Sequence, residues 1–344
     1  MHDLTIHPNA ANRRQWLRVS MGVSASLLLP QAHAKSSLLQ WRDTAMVGLG
    51  TTLSLRAGHT NGEQARIALD AAVAAIRHVE AQMSLFNPNS ALSTLNREGV
   101  LNNPHPDLVR VLQLAQQVSA QSQGAFDVTV QPLWLAWATA QRAGRLPTQD
   151  EINVARARVG WRKLEVTADR VRFLRPGMAL TLNGIAQGFA GDLARRVLEA
   201  HGIEHALIDT GEWSAWGQSP EQGRWTLGIA NPRMDSSSQS ALIAKISMDG
   251  RAMATSSDAH YRFGQDDIHH HIFDPHTGYS PRSISSVTVL ATSCALADAL
   301  TKVMFMGDAA QALSLAKRWN VDVLVVEKNG RWRASEGLSK ALRT

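Results

Sequence analysis

The chain has 344 residues, of which 44% are hydrophobic and 19% charged, with a formal net charge of +6. This is a globular composition with ample core for one large domain, and it excludes a disordered or fibrous chain. The positive charge includes no Lys/Arg block interleaved with aromatics, which argues against a nucleic-acid binder, and the single cysteine, Cys294, excludes an intrachain disulfide or a cysteine metal cluster.

Asn12-Arg13-Arg14-Gln15-Trp16-Leu17-Arg18 is a twin-arginine pattern. A modestly apolar run from Val19 to Leu29 follows, then the small-x-small signature Ala32-His33-Ala34. The run is too short and too rich in Ser and Gly to span a bilayer. Residues 1–34 are therefore expected to be an export leader, and residues 35–344 one soluble periplasmic domain with no lasting membrane insertion. Residues 45–57 predict a strand with early breaks at Gly48 and Gly50, and residues 63–83 carry apolar positions at helical spacing. After the loop at Met83–Ser90, helices are expected at residues 90–96 and 106–123, with a shorter one opened by Pro147 and Thr148. Short strands follow at residues 164–166 and 171–174, and a strand at 180–183 turns through Gly184 into a helix from Gln187 to His201. Further strands are expected at residues 206–209, 225–230, 242–248, 286–291 and 321–326, and helices at 296–306 and 309–319. The order mixes helices and strands without strict βαβ alternation, so the predicted class is α+β, with mixed antiparallel sheets flanked by helices. Cys294, where a strand meets a helix, reads as a buried structural thiol.

Two segments bear chemistry on their own residues. His269-His270-His271-Ile272-Phe273-Asp274-Pro275 sets imidazoles beside an Asp-Pro turn. A neutral imidazole there can act as a general base, and the histidine run also admits a zinc reading. Asp274 reads as a turn residue that bonds its own backbone. In Asn183-Gly184-Ile185-Ala186-Gln187-Gly188 a turn opens a helix, where exposed N–H groups can meet a phosphate and a free carbonyl a cation.

Four segments in register resemble the flavin transferase family called ApbE: Met83–Ser90 with Leu95-Asn96; Gly124–Val130 with Pro132-Leu133; Asn183–Ala190 with Asp192; and His271–Pro275 with Thr277-Gly278, closed by Ala297-Asp298-Ala299-Leu300. The resemblance spans roughly residues 44–335. It implies an enzyme that cleaves the pyrophosphate of FAD and joins FMN to a threonine or serine of an acceptor flavoprotein, with AMP leaving and Mg²⁺ assisting. It assigns His271 as the base, and Asp298 with the Ala186 carbonyl as metal ligands. The family pattern Asp-x-x-x-Thr reads here as Asp298-Ala299-Leu300-Thr301-Lys302. Either Thr301 replaces the ligand, or the Lys302 ammonium sits beside Asp298 in competition with the metal. Asn183 and Gln187 stand where the family has Gly and Lys, and with Gly184 they shape the implied phosphate site. Gly50, Thr51, Phe86, Asp209, Glu212 and Ser257 fall on segments that the resemblance places against the flavin nucleotide. Two rivals stand beside transfer: an FAD pyrophosphatase releasing FMN and AMP, and a non-catalytic FAD-binding protein.

Overall fold

The structure, a computed structural model, describes residues 39–234, 242–259, 261–264 and 268–343. The expected leader and the Ser236–Ser240 loop lie outside the described residues.

Strands β1 (Gln40–Gly48) and β2 (Thr51–His59) form a hairpin, so the single strand expected over 45–57 is two. The chain reverses at Leu49-Gly50, with φ of 50° and 83°. Positive φ at both turn residues matches the twist of the flanking strands, and Gly50 adopts it without Cβ cost. Six more strands complete an eight-stranded sheet: β6 (His205–Asp209), β7 (Trp213–Trp216), β10 (Ala252–Ser257), β11 (Ile284–Ala291), β12 (Asp322–Glu327) and β13 (Trp332–Ala334). Every pairing in it is antiparallel. Two three-stranded antiparallel sheets accompany it. One holds β3 (Val100–Asn102), β4 (Leu164–Val166) and β5 (Arg170–Phe173); the other holds β8 (Thr226–Ala230), β9 (Leu242–Ser247) and β14 (Leu342–Arg343). The α+β class is as expected.

The central strands are buried on both faces, and their side chains divide by period two. Val323 and Val325 of β12 join the helix-side core, while Leu324 and Val326 join the apolar layer under the β8–β9–β14 sheet. On the helix side lie α1 (Gly62–Met83), α3 (Pro106–Gln121), α6 (Ala186–Ala200), α7 (Cys294–Phe305) and α8 (Ala309–Trp319). A smaller cluster forms around Trp137 of α4 (Gln131–Arg142), with Phe263, Phe273 and Ile152 of α5 (Gln149–Arg156). The short helix α2 (Ala91–Glu98) starts at Ser90, whose hydroxyl accepts the Ser93 N–H. The strand expected at 180–183 does not form. The Asn96 amide side chain takes both backbone groups of Leu180, at 2.7 and 2.8 Å, and the Thr181 N–H goes to the Val128 carbonyl. Bonds to a side chain and a loop thus take the place of ladder partners at Leu180 and at the Thr181 N–H.

Candidate active site

Helices α6 and α7 cross where glycine permits. A Cβ on Gly188 would lie 2.4 Å from the Cys294 carbonyl oxygen, and one on Gly191 would meet the Thr210 hydroxyl and the Cys294 sulfur. The Asp192 carboxylate, on the same face of α6, accepts the Cys294 and Ala295 N–H groups at 2.7 and 3.0 Å and the Ser293 hydroxyl at 2.7 Å. A carboxylate at a helix N-terminus satisfies orphan donors and favours the dipole, so Asp192 locks α7 onto α6. Cys294 is wholly buried beneath this junction, and burial raises its thiol pKa well above the ordinary value, as suits an inert structural thiol.

One turn further along α7, Asp298 is fully buried. Its Oδ1 pairs with the Lys302 ammonium, and its Oδ2 accepts the Gly188 N–H at 3.4 Å. The Lys302 Nζ also reaches the Asp298 carbonyl at 3.2 Å. Gly184 closes the opposite wall: a Cβ there would meet Lys302 Cε at 3.0 Å and the Phe126 ring at 3.5 Å. Glu212 is buried nearby, with Oε2 accepting the Thr255 N–H at 2.9 Å. Burial first, and then the charge of Asp298, raise its pKa well above the carboxylate range. Burial likewise lifts Asp209 to about 6, against the Gly211 N–H bonded to it. The Gln187 side chain packs on Gly211, and the Thr210 hydroxyl donates to the Gln187 carbonyl at 2.9 Å. The turn at 183–188, the turn at 209–212 and α7 therefore meet around a single ammonium.

The histidines separate by environment. His270 is buried, its ring against Phe305 at the far end of α7, and burial lowers its pKa to about 4. Its Nε2 donates to the Pro281 carbonyl at 3.2 Å. His269 packs its ring on Trp137 at 4.9 Å. His271 is half-buried, and its Nδ1 lies 3.3 Å from the Tyr261 carbonyl. A carbonyl only accepts, so this bond puts the proton on Nδ1 and leaves Nε2 as the basic nitrogen. Asp274 does turn work, as expected, with Oδ1 accepting the His276 N–H at 2.9 Å.

The sequence profile of the ApbE family matches residues 49–325. An FAD:protein FMN transferase of Vibrio cholerae is 30% identical over 262 residues, covering 74% of this chain and 77% of that protein. One from Klebsiella pneumoniae is 31% identical, covering 64% and 69%. Among solved structures, the ApbE protein of Thermotoga maritima superposes with a TM-score of 0.79 at 25% identity, covering 89% of this chain and all of that one. The apo form of the Pseudomonas stutzeri flavinyl transferase ApbE gives 0.75 at 25% identity, covering 88% and 97%. This chain belongs to the ApbE family.

Within the ApbE frame, the sequence-derived residues fall into three groups. Gly184, Gln187, Asp209, Glu212 and Asp298 gather at the α6–α7 crossing, with Ala186 beginning α6 beside them, while the Thr301 hydroxyl turns back to its own helix and to Ser256 of β10. Asn183 is exposed on the turn itself, and Ser257 is buried at the end of β10, its hydroxyl accepting the Ala259 N–H. His271 stands on the segment that packs against the C-terminal end of α7 through His270. Gly50, Thr51 and Phe86 form the third group, at the β1–β2 turn. Phe86 is 63% exposed there, and a Cβ on Gly50 would lie 3.1 Å from its ring. Sequence reasoning missed Arg233 and Lys328. Both pair with the buried Asp258, whose carboxylate also accepts the Ser285 hydroxyl at 3.1 Å. They come from segments far apart in the chain, and no local pattern marks either one.

The magnesium that ApbE membership implies does not fit these donors as they stand. Mg²⁺ demands near-octahedral oxygen ligands. Of the Asp298 oxygens, one faces an ammonium and the other a backbone N–H. The Thr301 hydroxyl donates to the Asp298 carbonyl at 2.6 Å and shares a 2.7 Å bond with Ser256. The arrangement fits Lys302, and a divalent ion would have to displace it.

Proposed function

We propose that this ApbE-family chain is an FAD:protein FMN transferase, joining FMN to a threonine or serine of an acceptor flavoprotein. The observation that carries the proposal is the pair of buried Asp298 with half-buried Lys302, set against the Gly184 turn on the helix that also supports the His270-His271 segment. Nε2 of His271 takes the hydroxyl proton of the acceptor. The acceptor oxygen attacks the FMN phosphorus, the pyrophosphate P–O bond breaks, and AMP leaves with the electron pair. The Lys302 ammonium meets the charge that builds on the phosphoryl oxygens, whereas the N–H groups of Asn183, Ile185, Ala186 and Gly188 donate within the protein and do not form the phosphate cradle expected of this turn. Magnesium enters this reading only as a competitor of Lys302 for Asp298. The twin-arginine leader supports export to the periplasm and an acceptor that is itself exported or faces that compartment. Among the described residues no helix is long and apolar enough to cross a membrane.

Incubation with FAD and an acceptor domain, read by mass spectrometry, tests the proposal. An FMN adduct on the acceptor together with free AMP is expected. FMN and AMP without an adduct, across several acceptor domains, would indicate the pyrophosphatase, and intact FAD the binding protein. His271→Ala is expected to slow transfer about 100-fold or more while FAD binding persists. Undiminished transfer would remove His271 as the base.

A further inference from the structure

Away from the α6–α7 crossing, three metal-ligating side chains converge where α1 meets the start of α3. His78 Nε2 lies 3.2 Å from His105 Nδ1 and 3.5 Å from Asp107 Oδ2. The third edge, His105 Nδ1 to Asp107 Oδ2, is 3.7 Å. Four ligands at about 2.0–2.1 Å around a tetrahedral ion stand about 3.3–3.4 Å apart, so this triangle is close to one face of such a site. From this geometry we propose that His78, His105 and Asp107 form a surface site for a zinc-class divalent ion, with its fourth position open to water. The inference does not depend on the flavin chemistry.

The donor set selects the ion. Two imidazole nitrogens and one carboxylate oxygen suit Zn²⁺ and its borderline neighbours, whereas Mg²⁺ prefers oxygen alone. The surroundings are those of a held ligand. Arg110 donates to Asp107 Oδ1 at 2.9 Å, which fixes the carboxylate and leaves Oδ2 toward the histidines. Side-chain exposures of 33% and 43% for the histidines and 15% for Asp107 leave an approach from solvent.

Without an ion, hydrogen bonds hold the group. The Asp107 N–H donates to His105 Nδ1 at 3.1 Å, so that nitrogen is an acceptor and His78 Nε2 carries the proton between the rings. Binding replaces that proton, the His78 ring passes to its Nδ1–H tautomer, and the ion takes the lone pair that now caps α3. Two segments, 27 residues apart in sequence, become cross-linked.

The test uses the full untagged chain, titrated with zinc against a chromophoric chelator and melted with and without zinc. One zinc per chain at micromolar affinity or tighter is expected, with Tm rising by a few degrees. His78→Gln and His105→Gln should each weaken binding about tenfold or more and remove the Tm rise. His276→Ala, on the other histidine-bearing segment, should leave binding unchanged. Absence of binding in the unsubstituted chain overturns the proposal. So does unchanged affinity in both glutamine variants, or loss of the stoichiometric zinc in His276→Ala.

Discussion

Lys302 decides the metal chemistry at the level of the residue. Its ammonium is held by a fully buried carboxylate, with its stem against Gly184, and a hydrated divalent ion cannot share Asp298 with it at no cost. We therefore expect transfer by the unsubstituted chain to survive EDTA. Lys302→Thr should lose activity in EDTA and regain it with Mg²⁺. A rate assay across magnesium concentrations checks this, and equal magnesium responses in both proteins would place Lys302 outside the chemistry. This conflict was visible in the sequence, because Asp298 and Lys302 stand one helical turn apart. The outcome needed the fold, which sends the Thr301 hydroxyl back to its own helix and to Ser256. Arg233 and Lys328 were illegible for a different reason: an exposed-looking basic residue gives no sign that a buried Asp258 is waiting for it.

At the level of the element, the crossing of α6 and α7 sets the site. Gly188→Ala would push a methyl group into the Cys294 carbonyl, against backbone that cannot rotate away. Destabilisation of about 1–3 kcal/mol or more is expected, read as a lower urea midpoint, with FAD binding weakened because Asp298 moves with α7. An unaltered midpoint would show that the crossing relaxes freely. Most helices were legible because caps and apolar period agree. Residues 309–319, for example, begin at Asp308 with a capping box to Gln311 and end at Asn320 in the left-handed region. Helix α4 was not legible. Its N-cap, Val130, makes no side-chain bond, and its buried face is defined by Trp137 packing on rings from distant loops. The hairpin at Leu49-Gly50 was half legible: the glycines flagged a break, but the reversal depends on Leu49 also taking positive φ, which Leu does not advertise.

At the scale of the whole molecule, Asp209 and His270 tilt stability with pH in opposite senses. Asp209, lifted from 3.8 to about 6, favours the fold while protonated; its contribution is complete below 3.8 and lost as pH rises through 6. His270, lowered from 6.5 to about 4, favours the fold while neutral; its contribution is complete above 6.5 and lost as pH falls through 4. Each amounts to about 3 kcal/mol, so between pH 4 and 6 the two largely cancel. Asp209→Asn removes one side of the balance. Its urea midpoint, measured without FAD, should fall more steeply than that of the unsubstituted chain as pH drops from 6 to 4. Parallel curves would mean that Asp209 is not protonated on folding. The molecule also has an order in time. The Gly188–Asp298 bond spans 110 residues and the Asp192–Cys294 bond 102, so the α6 half of the site is translated long before its α7 partner leaves the ribosome. A nascent chain can build its first hairpin and α1 early, but it holds no pocket for a nucleotide until the last part of the message has been read. The α6–α7 crossing thus becomes available only once the chain has been made through α7.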